Sequence, residues 1–153
     1  MIGFSQGGLI ARYIAQACPI KGKVRNLVTV GTPNMGVTEA PVCATEEVHE
    51  HTALSIGCSI LNFGVQKVMY SEWLTEISPT GYYRDVDNLS EYFDKSTFLS
   101  KLNNEIIHED NDLYRQRMMS LNSASFISWD SDIIVYPRES HHFGQLTSNS
   151  GEI

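Results

Sequence analysis

The chain has 153 residues, 42% hydrophobic and 19% charged, a length and balance that suit one folded domain and exclude a charge-rich disordered chain. A net charge of -7 with no cluster of Lys and Arg argues against nucleic acid, whose phosphates would be repelled. No apolar run reaches the roughly 18 to 20 residues of a membrane helix, and Met1-Ile2-Gly3-Phe4 has neither the basic nor the apolar region of a signal peptide.

The first element follows Ser5: Leu9, Ile10, Tyr13, Ile14 and Ala17 recur at helical spacing, and Cys18-Pro19 with Gly22 end the pattern, which predicts a helix of about three turns. Residues 26–33 are β-rich and bounded by turn residues, as in a buried parallel strand. From about Val37 to Ser120 the period becomes mainly helical, too long for a simple crossover, so residues 37–120 read as an insertion. Within it Asn88 or Asp87 is placed to cap a helix, with Glu91 reaching back, and Asp110 or Asn111 to start another carrying Leu113, Tyr114 and Met118. Residues 124–129 read as a further strand, ending in the acidic loop Asp130-Ser131-Asp132.

Gly3-Phe4-Ser5-Gln6-Gly7 has the G-x-S-x-G pattern of a nucleophile elbow. Acyl transfer needs a serine oxygen held clear of the backbone, near a base and near N–H groups that stabilise an oxyanion. A tight strand-to-helix turn does this, with Gly3 and Gly7 removing side chains that would collide with the neighbouring strand and helix, and the Gln6 N–H aimed at the oxyanion. Gly8 adds close packing of the helix on the sheet. The bland alternative is a helix start with Ser5 as its cap. On the elbow reading the chain is part of an α/β-hydrolase fold, with parallel strands, flanking helices and the helical insertion between strands.

In that fold the triad runs serine, acid, histidine along the chain, with the acid in a loop after a later strand. Asp132 and Asp130 both occupy such a loop, where the ordinary fate of an aspartate is a solvated turn. His49, His51 and His108 precede the acid. His141 and His142 follow it within ten positions, which reads as a surface pair and puts the catalytic histidine beyond Ile153. A metal site at the pair is not expected, since no carboxylate or cysteine has ligand spacing around it.

The run Gly3-Phe4-Ser5-Gln6-Gly7-Gly8, the tract Phe98-Leu99-Ser100-Lys101-Leu102-Asn103-Asn104-Glu105-Ile106, and the tract from Asp132 to Ser140 followed by Phe143-Gly144 together resemble the palmitoyl-protein thioesterases. Tyr70-Ser71-Glu72-Trp73 and Tyr82-Tyr83-Arg84-Asp85 are similar to the family's helical insertion. The resemblance covers nearly the whole of residues 1–153. It implies Ser5 as nucleophile, Asp132 rather than Asp130 as the acid, palmitoylated proteins as substrates, no cofactor, and a lysosomal or secreted setting for the full-length form. It also implies that strands before the elbow, a His-Gly loop giving the second oxyanion N–H, and the catalytic histidine lie outside this chain, which then reads as a fragment inactive by itself. Cys43 and Cys58 fall where the family has a disulfide, and Cys18 where it has a cysteine with an upstream partner. Asn88-Leu89-Ser90 is a glycosylation sequon where family members carry sugars, although Asn88 equally serves as a cap. Apolar residues of the insertion such as Leu54, Phe63, Val68 and Trp73 are candidates for an acyl trough or for ordinary packing. A lipase of the same fold, suggested by Gly31-Thr32-Pro33 with Gly36, and a non-catalytic remnant are the rival readings.

Overall fold

A computed structural model describes residues 1–38 and 81–146. Three parallel strands, β1 (Ile2–Phe4), β2 (Asn26–Val30) and β3 (Ser123–Ile127), form one sheet in the order β1-β2-β3. Between β1 and β2 lies α1 (Gln6–Gln16), which gives the parallel pair the helical crossover it requires. Helices α2 (Leu89–Lys95), α3 (Leu99–Leu102) and α4 (Asn111–Met119) precede β3, and a 3-10 turn spans Arg138–His142. This is the expected partial α/β fold. Within residues 81–120 lie the three helices α2, α3 and α4, while 39–80, with Cys43, Cys58 and the apolar stretch from Leu54 to Trp73, lie outside the described residues.

The register pairs Gly3 with Thr29 and Phe4 with Val30, so Gly3, Leu27 and Thr29 share the face under α1, and Leu27 and Thr29 are fully buried. Ile2, Phe4 and Ile127 alternate to the opposite face and are exposed. The core on the helical side joins Leu9 of α1 to Tyr83, Tyr92, Leu99 and Leu102. Burial of each such leucine contributes about 1.5–3 kcal/mol, which fixes the segment from Tyr83 to Leu102 directly onto the helix that starts at the elbow.

The buried face of α1 differs from the apolar pattern in the sequence. Ile10 and Tyr13 are exposed, whereas Gly8, Ala11, Arg12, Ala15 and Gln16 are buried beside Leu9. Two polar side chains sit inside on specific partners: Gln16 donates to the Leu102 carbonyl at 2.8 Å, and the terminal nitrogens of Arg12 donate to the Asn34 carbonyl, to Asn34 Oδ1 and to Asn103 Oδ1, while Arg12 Nε and Gln16 Oε1 have no partner among the described residues. Arg12 also lies over the Phe143 ring, 4.7 Å from its centroid. Burial lowers the Arg12 pKa to about 10, partly opposed by Glu105, so the guanidinium stays charged at neutral pH. One side chain thereby ties α1 to the loop after β2, to the end of α3 and to the residue after the 3-10 turn.

Ahead of β3, Asn88 caps α2: its side chain accepts from the Glu91 N–H at 3.2 Å and donates to the Glu91 carboxylate at 2.9 Å. Arg84 pairs with Glu105 at 2.5 Å, and Tyr92 donates to the same carboxylate at 2.7 Å. These contacts explain how the tract around Glu105 serves the fold: Glu105 ties it to Arg84 and Tyr92 while Asn103 ties it to α1.

Candidate active site

Phe4 hands directly to α1 through Ser5, whose φ of 49° and ψ of -130° lie in a region that L-residues rarely adopt. The turn is held by the Ser5 N–H donating to the Val30 carbonyl at 2.8 Å, so the neighbouring strand fixes the bend. Ser5 makes no side-chain capping hydrogen bond. The Ser-cap alternative therefore fails, and the hydroxyl stands exposed at the tip of the bend. Gln6 is the first residue of α1, so its N–H has no acceptor within the helix and faces the elbow end.

The glycines divide the steric work differently from the sequence expectation. A Cβ on Gly3 would overlap the backbone of Gly7 and Gly8, as expected, but one on Gly7 meets nothing within 4 Å among the described residues. The constraint falls on Gly8, where a Cβ would overlap the side chain of Thr32. Thr32 is fully buried and has little room to yield. Gly8→Ala is therefore expected to destabilise the protein by about 1–3 kcal/mol through overpacking, whereas Gly7→Ala is neutral or gains up to about 1 kcal/mol of helix propensity. Urea-unfolding midpoints of the two variants check this, and the reverse ranking would contradict the packing described.

Asp132 lies in the loop after β3, and with Ser5 it lines a cleft of about 360 Å³ that Trp129, Ile133 and Ile134 also border. The Trp129 ring packs against Gly31, whose φ of 57° turns the chain after β2. Both loops leave the carboxyl ends of parallel strands, where open α/β sheets place their ligand sites. Asp132 is not a solvated turn residue. Its side chain is 9% exposed, and Oδ1 accepts the N–H groups of Ile134 at 2.7 Å and Val135 at 3.1 Å. Asp130 has a different part, its carbonyl accepting from Arg138 at 2.6 Å.

The structure brings a histidine to Asp132 that the sequence reading set aside. His141 is 1% exposed, and its Nε2 lies 2.9 Å from Asp132 Oδ2. The expected surface pair splits: His142 is exposed and hydrogen-bonds the Phe126 carbonyl, while His141 is interior. The reason lies in the 3-10 turn. Ser140 Oγ donates to the Gly36 carbonyl at 2.6 Å and accepts the Met35 N–H, and Asn34 donates to the His141 carbonyl at 2.7 Å, which draws the turn onto the loop after β2 and folds His141 inward.

Burial pushes the Asp132 carboxyl up, but the hydrogen bonds from Ile134, Val135 and His141, with the charge of His141, outweigh it and hold the group below its ordinary 3.8. A folded value below the unfolded one means the ionised carboxylate adds stability that is complete above 3.8 and lost as pH falls through the lower folded value. The difference in unfolding free energy between wild type and Asp132→Asn should therefore shrink as pH drops below about 4. An unchanged difference down to pH 2 would contradict the assignment of those hydrogen bonds to the ionised form.

Comparison with known proteins agrees with the architecture. A family profile described as palmitoyl protein thioesterase matches residues 1–153. The chain belongs to the palmitoyl-protein thioesterase family. It is 32% identical over 148 residues to palmitoyl-protein thioesterase 1 of Caenorhabditis elegans, covering 94% of this chain and 45% of that protein. It is 30% identical over 152 residues to a palmitoyl-protein thioesterase-dolichyl pyrophosphate phosphatase fusion of Schizosaccharomyces pombe, covering 99% of this chain and 23% of the fusion. A match of 28% to lysosomal thioesterase PPT2-B of Xenopus laevis covers 94% and 46% of the two chains. This thioesterase-family chain thus spans less than half the length of these relatives. Among its described residues Cys18 is half-buried and forms no disulfide, and no group of three or more His, Cys, Asp or Glu is placed to hold a metal ion.

Proposed function

We propose that the complete protein carrying this chain removes palmitoyl and similar acyl groups from cysteine thioesters through an acyl-Ser5 intermediate. The single observation that carries the reading is Ser5, uncapped at a strained elbow, opening on the same cleft as the ionised Asp132. Family membership supplies the substrate class, as relatives are named palmitoyl-protein and lysosomal thioesterases.

In this reading an imidazole supplied from outside residues 1–153 takes the proton of Ser5 as Oγ attacks the thioester carbonyl carbon. The Gln6 N–H donates to the oxyanion, and Asp132 orients the imidazole and stabilises its charge. Collapse breaks the C–S bond, the imidazolium proton goes to the departing thiolate, and the acyl group stays on Ser5. Water, deprotonated by the same imidazole, then attacks the acyl carbonyl and releases the fatty acid and the Ser5 hydroxyl. The steps balance without an organic cofactor or a metal ion. A carboxyl held low suits an acidic lysosomal lumen, because Asp132 stays ionised there.

The test is hydrolysis of a palmitoyl-cysteine peptide and of an oxygen ester of equal chain length by the complete protein. Preferential release of thiol from the thioester is the expected result. Turnover of the oxygen ester with none of the thioester would favour a lipase of the same fold.

A further inference from the structure

Both ring nitrogens of His141 are committed. Nδ1 lies 2.9 Å from the Thr32 carbonyl oxygen and Nε2 lies 2.9 Å from Asp132 Oδ2. A carbonyl and an ionised carboxylate only accept, so the two hydrogen bonds exist together only when each nitrogen carries a proton. A triad base is built differently: one nitrogen donates to the acid while the other, unprotonated, accepts from the serine hydroxyl. The second nitrogen of His141 is turned to a backbone carbonyl, and the ring is buried beneath the loop after β2.

The acceptor count at Asp132 shows what this arrangement leaves available. An ionised carboxylate offers about four acceptor positions. Ile134 and Val135 take two on Oδ1, and His141 takes one on Oδ2. The position left is on Oδ2, beside the donor that holds it.

We infer that His141 is a positioning residue for thioester hydrolysis: anchored on Thr32, it clamps Oδ2 of Asp132 so that the remaining acceptor position is presented to a separate imidazole base. The inference rests on the reading of Ser5 as nucleophile and Asp132 as triad acid. Thr32 follows β2 and Asp132 follows β3, so the ring also locks together the two loops that meet at the cleft. A carboxylate free to rotate would orient the base less well, and misplacement by about 1 Å costs on the order of 100-fold in rate.

The test separates the two nitrogens. The amide of His141→Gln can take the place of Nε2 and keep a donor on Asp132, whereas that of His141→Asn takes the place of Nδ1 and keeps only the donor on Thr32. In the complete protein, kcat for a palmitoyl thioester should fall about 100-fold in His141→Asn with KM unchanged, and should stay within a few-fold of wild type in His141→Gln. Equal kcat in both variants, whether retained or lowered together, would overturn the inference, as would loss in His141→Gln down to the level of Ser5→Ala, which would make His141 the base itself. A folding defect is bypassed by nitrogen-15 spectroscopy of the wild type, where Nε2 of His141 should read as proton-bearing and a bare Nε2 would overturn the clamp. Turnover retained by Ser5→Ala would instead bring down the triad reading on which the inference stands.

Discussion

Ser5→Ala in the complete protein should reduce kcat for a palmitoyl thioester by about 10⁶-fold, the scale seen when a triad serine is removed, with little change in stability. The bend at Ser5 is held by its own N–H on the Val30 carbonyl, by its carbonyl accepting the Gly8 N–H and by the close approach of Gly3 to Gly7 and Gly8, so none of these supports passes through the serine hydroxyl. The variant should therefore melt with the wild type, and the missing activity would then belong to the missing hydroxyl. Binding of substrate should survive, because the cleft walls, including Trp129 and Ile134, are untouched. Thiol release from a palmitoylated peptide, measured beside a thermal melt, checks both halves of the expectation.

Asp132→Asn should lower kcat by about 10⁴-fold while leaving the loop in place. The asparagine carbonyl oxygen can still accept the Ile134 and Val135 N–H groups that now reach Oδ1, so the turn is kept. On the proposed mechanism, what is lost is the negative charge that would stabilise the imidazolium and the acceptor on Oδ2 that would orient the base. His141 must then give up its donation from Nε2 or lose a partner, which costs about 1.5–3 kcal/mol as a charge-assisted hydrogen bond disappears. A steady-state assay combined with urea unfolding separates the two effects. A variant with full activity would remove Asp132 from the triad and return attention to Asp130.

Much of the site's frame was legible in the sequence because local chemistry dictated it. The elbow needs small residues around a serine at fixed offsets, the helix after it has a clear period, and Asn88 with Glu91 at the third following position is a capping pattern whatever surrounds it. The parallel order of β1, β2 and β3 likewise follows from strands separated by helical segments. The unread features depend on contacts between distant parts of the chain. His141 and His142 are both polar and adjacent, and only the hydrogen bonds of Asn34, Gly36 and Met35 to the 3-10 turn decide that the first faces inward. Gly8, Arg12 and Gln16 follow one another at intervals of four along the buried face of α1, but two of them are polar, and a polar stripe on a helix ordinarily marks a solvent face. The partners that make Arg12 interior, Asn34 and Asn103, lie 22 and 91 residues away. That four-residue spacing, opposite the exposed Ile10 and Tyr13, marks one face of the helix and is the sign the sequence carries of this burial. The division of labour between Gly7 and Gly8 has the same origin, since it is set by where Thr32 packs.

The most direct measurement is to mix the complete protein with a palmitoyl thioester, quench within a turnover, and map the acylated peptide by mass spectrometry. A palmitoyl group on the peptide beginning Gly3-Phe4-Ser5, absent from Ser5→Ala, is the result expected. Acylation at another residue, or full turnover with Ser5 never modified, would contradict the account.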